Sequence, residues 1–339
     1  MSTDDDAPTP EPAEGPAPDA PQPEAPLPDA IDPETDRLYD TRRGVPDADE
    51  IIEGWREDAA RFRAEWRTAS LDVAYGPEPR SDLDVFWPNE QAGDRGSDVP
   101  LAMFVHGGYW RRFDRKVFSH LARGLASRGM AVAMPSYTLA PEAAVADIVA
   151  QLRQCVRFVF RTYGRRVTVV GHSAGAHLAA SLFATDWCEV DPALPADLVP
   201  AGLGLSGIYD LVPLLRTSVN ETLGLDEEAA RAASPIHALP PALRRFDAWV
   251  GRRESAAFHE QTRRLARRWS MTGTLSRMHV VPNAHHFSVV APLANPRSRM
   301  VKHVLDLVAR PEEREELDDG EHDGDGEEQV EDATVEPQG

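Results

Sequence analysis

An apolar run with a short polar end, VTVVGHSAG at residues 167–175, leads directly into the Ala- and Leu-rich run AHLAASLFAT at 176–185. The first four residues are typical of a buried strand, and the second run has the composition of a helix. Between them, Gly171–Gly175 matches Gly-x-Ser-x-Gly, a pattern in which the serine occupies a tight turn and the flanking glycines let strand and helix approach closely. We therefore predict that Ser173 is a nucleophile at the C-terminal edge of a sheet. The alternative is an ordinary strand–helix turn.

A second glycine-rich turn, HGGYW at residues 106–110, follows the apolar strand LAMFV at 101–105. In strand–helix folds with such a nucleophile, the loop after an upstream strand supplies backbone N–H groups that bind the negative oxygen of a tetrahedral intermediate. Glycine leaves those groups unobstructed. We predict an oxyanion hole made by Gly107, Gly108 and the N–H of Ala174, the alternative again being a plain turn.

The residues around these two turns are candidates for a substrate pocket. Tyr109, Trp110 and His172 stand next to the predicted nucleophile and oxyanion loop, although the two aromatic residues suit packing equally well. Arg111 and Arg112 follow directly and would serve a charged substrate, but exposed arginines are also the ordinary state of a protein surface.

A serine hydroxyl needs a base, and the base needs a group that orients it. His285 and His286 lie in the loop after the predicted strand MHVV at 278–281, late in the chain. In this architecture the order along the chain is serine, acid, histidine. The loop after residue 281 is therefore the expected position of the base.

Three carboxylates compete for the role of the acid. Glu254 is the first carboxylate beyond the end of the predicted strand FDAWVG at 246–251, whereas Asp247 lies inside that strand. Asp210 ends the preceding strand, LGLSGIYD at 203–210, and also suits capping of a short helix after it. We predict Glu254, with Asp210 as the alternative.

Strands and helices alternate along the central part of the chain. Apolar patterns predict further strands at 71–76, 83–88 and 130–137, and helical periodicity predicts helices at 47–66, 117–129, 143–163, 255–269 and 298–309. Repeated alternation predicts an α/β fold with a mostly parallel twisted sheet and helices on both faces.

The formal net charge of −20 over 339 residues is concentrated at the two ends. Residues 1–36 carry 11 acidic and no basic residues, and residues 311–339 carry 14 acidic residues and one Arg, whereas residues 37–310 carry a net charge of +4. Both ends are poor in large apolar residues, and the first is rich in Pro and Ala. We predict disordered acidic tails at 1–36 and 311–339 around one domain at 37–310. The balanced centre offers no basic face for nucleic acid.

Other classes of protein are excluded by what the sequence lacks. The two cysteines, Cys155 and Cys188, form no Cys-x-x-Cys pair, so we expect neither a disulfide framework nor a thiolate metal site. The first 30 residues lack the basic and apolar segments of a signal peptide, and no run of 18 apolar residues predicts a membrane span. We expect a cytoplasmic protein that acts on a small molecule without metal or organic cofactor. The sequence carries no signal of an oligomeric state.

Residues 68–309 resemble the α/β-hydrolase superfamily, in particular the kynurenine formamidase (arylformamidase) branch and its HGG-type carboxylesterase relatives. The matching stretches are YG (75–76), LDVFWP (83–88), HGGYW (106–110), GHSAGAHLAA (171–180), SGIYDL (206–211), ESAAFHEQT (254–262) and NAHHFSVV (283–290). The resemblance implies that Glu254, before a short segment ending in Phe258, is the acid, and that His286, before Phe-Ser, is the base. Members of the branch commonly have Asp or an Asp-Glu pair at the acid position, whereas here Arg253 precedes Glu254.

The resemblance implies hydrolysis of N-formyl-L-kynurenine, or a similar N-formyl aryl amide, to the amine and formate, a step of tryptophan catabolism. Ser173 would attack the carbonyl, His286 would transfer the proton, and Glu254 would hold the imidazole. A carboxylesterase for small acyl or aryl esters is the alternative, because related enzymes share HGG-type loops. A non-catalytic binding protein of this fold is a more remote alternative, and the complete set of candidate groups argues against it.

Overall fold

In a computed structural model, residues 30–95, 97–240 and 242–308 are described. The predicted C-terminal tail at 311–339 lies outside the described residues, and so do residues 1–29 of the predicted N-terminal tail. The described part forms an α/β fold with an eight-stranded sheet, as the alternating pattern predicted. None of its helices is long and apolar enough to cross a membrane.

The sheet is mostly parallel. Its strands are β1 Ala69–Ala74, β2 Asp82–Phe86, β3 Leu101–Val105, β4 Ala131–Pro135, β5 Val167–His172, β6 Ala201–Leu205, β7 Arg245–Gly251 and β8 Met278–Val281. They lie in the order β1-β2-β4-β3-β5-β6-β7-β8, and only the β1–β2 and β2–β4 pairs within the described chain are antiparallel. The C-terminal ends of β3, β5, β6, β7 and β8 therefore meet at one edge of the sheet.

Helices cover both faces. They are α1 Pro33–Tyr39, α2 Ala48–Glu65, α3 Arg123–Ala126, α4 Val145–Tyr163, α5 Ala174–Phe183, α6 Trp187–Val190, α7 Asn220–Leu223, α8 Glu227–Ala232, α9 Ala256–Ser270 and α10 Arg299–Val308. The predicted helix at 117–129 is wrong in its first half, where 3-10 turns at Arg115–Val117 and Ser119–Ala122 precede α3. The first of these turns begins at the buried Arg115, which forms ion pairs with Asp82 and Asp84 of β2.

The core has two layers because side chains on a buried strand alternate between the faces of the sheet. In β3, Met103 and Val105 pack with α4, α5 and α9 on one face. The intervening Phe104 packs with α2, α3 and α10 on the other face. All five residues of β3 are buried, so its continuous apolar run reflects helices on both sides.

The folded part begins before the predicted boundary at residue 37. Helix α1 starts at Pro33, and the Asp36 carboxylate accepts hydrogen bonds of 2.8 Å from both the N–H and the hydroxyl of Ser218. The backbone N–H of Asp32 also donates to the Arg216 carbonyl at 2.8 Å. These contacts correct the prediction that residues 32–36 belong to a disordered tail.

Candidate active site

Ser173 occupies the sharp turn between β5 and α5. Its backbone has φ 58° and ψ −123°, a conformation that is strained for a residue with a side chain. The turn is possible because glycines flank it. A Cβ atom at Gly171 would lie 2.0 Å from the Gly175 carbonyl oxygen, and one at Gly175 would lie 2.0 Å from that of Val105. Strand, turn and helix therefore pack with no room for side chains at these two positions.

Ser173, His286 and Glu254 form one chain of hydrogen bonds. The Ser173 hydroxyl donates to Nε2 of His286 at 3.0 Å, and Nδ1 of His286 donates to Oε2 of Glu254 at 2.8 Å. The three side chains come from the loops after β5, β7 and β8, and all three are buried. The structure thus brings together the residues that were predicted as nucleophile, base and acid.

The Glu254 carboxylate is satisfied on both oxygens. Its Oε1 accepts a hydrogen bond of 2.7 Å from the Gly251 N–H and another from the Ser206 hydroxyl. Burial acts to raise the pKa of Glu254, but the contact with His286 and the donors from Ser206 and Gly251 outweigh it, so this pKa lies below its ordinary value. The carboxylate is therefore ionised at neutral pH and holds the Nδ1–H tautomer of His286.

Sequence reasoning missed Ser206. This residue directly follows β6 with φ 52°, and its own N–H donates to the Trp249 carbonyl of β7 at 2.7 Å. The available signal was its position in SGIYDL, one residue beyond a strand that ends at the edge bearing Ser173. What could not be seen in the sequence is that its hydroxyl reaches a carboxylate 48 positions later.

Backbone hydrogen bonds fix the loop after β7, which carries Glu254, to the loop after β8, which carries His286. The N–H groups of Arg252 and Arg253 donate to the carbonyls of Val281 and Ala284, each at 2.9 Å. The loops after β7 and β8 are thereby held side by side, which sets the distance between Glu254 and the imidazole.

The competing acids are engaged elsewhere. Oδ2 of Asp210 accepts a hydrogen bond of 2.8 Å from Arg264, and Oδ1 accepts one from the N–H of Val212. Asp247 lies in β7 and accepts a hydrogen bond of 2.8 Å from Arg245. The structure connects neither carboxylate to a catalytic candidate. The other histidine of the loop, His285, accepts hydrogen bonds of 3.3 Å at Nδ1 from the backbone N–H groups of Phe287 and Ser288.

The loop predicted to form the oxyanion hole lies directly against Ser173. A Cβ atom at Gly107 would lie 2.9 Å from the Ser173 Cβ, and Gly108 has a φ of +116° that L side chains rarely adopt. Within residues 30–95, 97–240 and 242–308, the N–H groups of Gly107, Gly108 and Ala174 donate no hydrogen bond. Three backbone donors beside the serine are therefore free for a negative oxygen.

His106 supports this loop from beneath. Its ring is stacked between Phe118 and Tyr137, with centroid distances of 5.8 Å and 4.5 Å, and its Nδ1 donates to the Gly107 carbonyl at 2.8 Å. Burial lowers the pKa of His106 to about 4, so the ring is neutral at pH 7. The imidazole beneath the predicted oxyanion hole therefore carries no charge at pH 7.

Two of the three predicted pocket residues are interior residues, which corrects that prediction. Trp110 is fully buried and packs edge-on against His177 at 5.0 Å. His172 is buried, and its Nε2 donates to the His286 carbonyl at 2.8 Å, so it positions the histidine loop. Only Tyr109 lies on a cavity wall, where its hydroxyl donates to the Tyr39 carbonyl of α1.

Two cavities flank the site. One, of about 590 Å³, is lined by Gly108 and Tyr109 and by residues of α1 and the loop after it. The other, of about 300 Å³, is lined by Glu254 and His286. Four residues between positions 37 and 43 line both cavities: Arg37, Asp40, Thr41 and Arg43. The segment around α1 therefore forms part of the wall of the site.

In the described part of the chain, no group of three His, Cys, Asp or Glu is placed to hold a metal ion.

Comparisons with known proteins agree with this architecture. A family model called BD-FAE matches residues 83–191. The chain is 30% identical to a kynurenine formamidase of Danio rerio over 290 residues, which are 82% of this chain and 96% of that protein. It is 31% identical to a kynurenine formamidase of Salmo salar over 278 residues, 78% of this chain and 91% of that protein.

Among solved structures, a Silicibacter sp. TM1040 protein provisionally called a thioesterase is 35% identical, with a TM-score of 0.71 over 80% of this chain and 99% of that one. This likeness and those to the two fish proteins each cover between 78% and 82% of this chain. The chain therefore belongs to the kynurenine formamidase family of α/β-hydrolases and is a member of the serine hydrolases.

Proposed function

We propose that this serine hydrolase cleaves N-formyl aryl amides, in particular N-formyl-L-kynurenine, to the aryl amine and formate. The observation that carries the proposal is the unbroken chain of hydrogen bonds from Ser173 through His286 to Glu254, in a protein similar to formamidases along nearly their whole length. With N-formyl-L-kynurenine as substrate, the reaction is a step of tryptophan catabolism.

The first half of the reaction forms a formyl-serine. Oγ of Ser173 attacks the formyl carbon while Nε2 of His286 takes the hydroxyl proton, and the carbonyl oxygen becomes negative. The free N–H groups of Gly107, Gly108 and Ala174 are available to that oxygen. His286 then returns the proton to the aryl nitrogen as the C–N bond breaks, and the amine leaves. Glu254 stabilises the imidazolium formed in between.

The second half releases formate. A water molecule gives a proton to His286 and attacks the formyl carbon, and the bond to Oγ of Ser173 breaks as the proton returns to the serine. No further group is consumed, so the enzyme regains its starting state.

The tight oxyanion loop supports a small acyl group. Gly107 stands so close to Ser173 that even a methyl side chain on it would contact the serine Cβ at 2.9 Å. Formyl is the smallest acyl group, and an aryl amine leaves more readily than an alkyl amine. Both features favour an N-formyl aryl amide over a bulkier amide.

The proposal is tested by comparing kcat/KM for N-formyl-L-kynurenine with kcat/KM for p-nitrophenyl acetate on the purified protein. We expect the formyl amide to be preferred by about tenfold or more, a discrimination that a site shaped for one substrate can supply. Equal or better turnover of the ester would overturn the proposal. Ser173→Ala serves as the background for both substrates.

A carboxylesterase is the second candidate. It is supported by the 35% identity to a structure provisionally called a thioesterase, since a thioester and an ester are cleaved by the same acyl-serine chemistry. The same pair of substrates separates the two candidates, because an esterase would turn over p-nitrophenyl acetate and leave the formamide largely intact.

A further inference from the structure

The larger cavity beside the oxyanion loop carries an excess of positive charge. It begins at Gly108, one residue from the glycine that touches Ser173, and extends along α1. Five arginines and two aspartates line it, a net charge of +3: Arg37, Arg42, Arg43, Arg111, Arg112, Asp36 and Asp40. A group held in this cavity would therefore meet several cations a short distance from the reacting carbonyl.

Two of these guanidinium groups have no partner within the described residues. Arg42 forms an ion pair with Asp49 at 2.7 Å, whereas the side chains of Arg43 and Arg112 form neither an ion pair nor a hydrogen bond there. Both are exposed to the cavity and to solvent. Their charge is thus available to a ligand, because it is not engaged in an ion pair or hydrogen bond that stabilises the fold.

The neighbouring arginine shows that the positive charge is not neutralised locally. Arg111 is half-buried, its Nη1 donates to the Thr222 hydroxyl at 2.8 Å, and its buried Nε has no hydrogen-bond partner. Burial, followed by repulsion from Arg112, lowers the pKa of Arg111. An anion in the cavity would relieve this repulsion.

The two aspartates of the cavity do not cancel the charge of Arg43 and Arg112. Asp36 is held by the N–H and hydroxyl of Ser218, and Asp40 accepts a hydrogen bond of 3.0 Å from the N–H of Arg42. Neither forms an ion pair with an arginine of the cavity within the described part of the chain.

We propose that Arg43 and Arg112 form a carboxylate subsite that binds the acid group of the substrate's leaving portion. Guanidinium groups suit this role because their N–H groups match the two oxygens of a carboxylate. Arg112 follows the oxyanion loop and Arg43 lies in the segment after α1, and both line the same cavity. The inference rests on the proposed function for its choice of an amino-acid substrate, and it predicts selectivity for anionic over neutral aryl substrates.

The test compares two acetyl esters of equal size, 4-acetoxybenzoate and its neutral amide 4-acetoxybenzamide. We expect the wild-type enzyme to favour the carboxylate in kcat/KM. Arg43→Gln and Arg112→Gln should each raise KM for the carboxylate by about fivefold and the double variant by about tenfold or more, with KM for the amide unchanged. Arg112→Lys should restore part of the preference because it keeps the charge.

Arg166→Gln is the matched control. Arg166 precedes β5 at the opposite edge of the sheet, where it pairs with Asp197, so the substitution removes one charge far from the cavity. It should leave the preference for the carboxylate intact. Turnover of the amide reports in every variant whether the protein is folded. Raising the salt concentration to 0.5 M should weaken the preference of the wild type but not that of the double variant.

Two results would overturn the subsite: a wild-type enzyme that does not favour the carboxylate, or a double variant that keeps the full preference. The outcome is separate from that of the proposed function, because acetyl esters test the subsite even if N-formyl-L-kynurenine is not hydrolysed. Failure on the formamide with selective hydrolysis of the carboxylate ester would remove the proposed reaction and leave the subsite standing.

Discussion

At the scale of single residues, the account depends most on the environment of Glu254. This carboxylate holds the Nδ1–H of His286 and is itself held by Gly251 and Ser206. Glu254→Gln would present an amide to the imidazole and no longer select the same tautomer. We expect kcat to fall by about 10²- to 10⁴-fold with little change in thermal stability, measured by steady-state kinetics and thermal melting.

Asp210→Asn is the control for this substitution. Asp210 pairs with Arg264 and caps its own loop, so its loss should alter stability more than catalysis. If Asp210→Asn abolished turnover while Glu254→Gln stayed near the wild type, the acid would have to be reassigned to the loop after β6.

Ser206 provides a second prediction at this scale, in the pH profile. Its hydroxyl stabilises the ionised form of Glu254, so Ser206→Ala should raise the pKa of Glu254 toward its ordinary value. The acid limb of the kcat/KM profile should move to higher pH, and kcat should fall by about threefold to tenfold. Ser206→Cys, whose side chain is of similar size and keeps a weaker donor, should restore part of the wild-type limb. An unchanged limb in Ser206→Ala would show that the contact does not affect the acid.

The residues that local patterns predict are those whose role requires a special backbone. Ser173 needs flanking glycines, and the oxyanion loop needs Gly107 and Gly108, so each leaves a mark in a short stretch of sequence. Ser206 and His172 act through contacts with residues 48 and 114 positions away, and such contacts leave no local pattern. For the same reason His172 and Trp110, although adjacent to the motifs, were wrongly expected at the pocket wall.

At the scale of elements, the segment around α1 completes the wall of the site. The Asp36 carboxylate holds α1 to Ser218, and the Tyr39 carbonyl accepts a hydrogen bond from Tyr109 of the oxyanion loop. A chain that begins at residue 30 should keep kcat/KM within about twofold of the full chain. One that begins at residue 37 loses both hydrogen bonds to Ser218, and its KM should rise by about fivefold.

The experiment measures kcat and KM for the two truncated chains and for Asp36→Asn. The point variant keeps the helix but weakens its anchor, so it should fall between the two truncations. A chain beginning at residue 37 with the KM of the full chain would show that α1 needs no anchor.

The central strands and helix α1 differ in how they are stabilised. Strands β3, β4 and β5 are continuous apolar runs buried on both faces, and their positions were predictable from that pattern. Helix α1 has little apolar surface, because its first turn contains Pro33, Glu34 and Asp36 and its N-cap is Asp32. It is held by hydrogen bonds to a distant loop. Composition alone assigned it to the tail.

At the scale of the whole molecule, four buried histidines make stability depend on pH. Burial lowers the pKa of His106, His120 and His177 to about 4, and burial with repulsion from His286 lowers the pKa of His172 to about 3. In the unfolded chain these rings take up protons near pH 6.5. Their contribution is therefore fully present above pH 6.5 and is lost as the pH falls toward 4. Between pH 7 and pH 5, each should cost about 2 kcal/mol of the free energy of unfolding.

Urea denaturation at pH 7 and pH 5 measures this loss. His177→Gln keeps a donor for the Ala233 carbonyl but cannot be protonated. The free energy of unfolding of this variant should therefore fall less between pH 7 and pH 5, by the contribution of one histidine. The exposed His237, changed to Gln, should leave the loss unchanged. Equal losses in the wild type and His177→Gln would mean that the ring is not neutral in the folded state.

The central claim, that Ser173 is a nucleophile activated by His286, has a direct chemical test. The purified protein is incubated with a fluorophosphonate at pH 7.5, and its intact mass and labelled peptide are determined. We expect one adduct per chain on the peptide containing Ser173, formed orders of magnitude more slowly in His286→Ala and absent in Ser173→Ala. An unlabelled protein, or an adduct on another residue that persists in Ser173→Ala, would contradict the account and return the fold to a binding role.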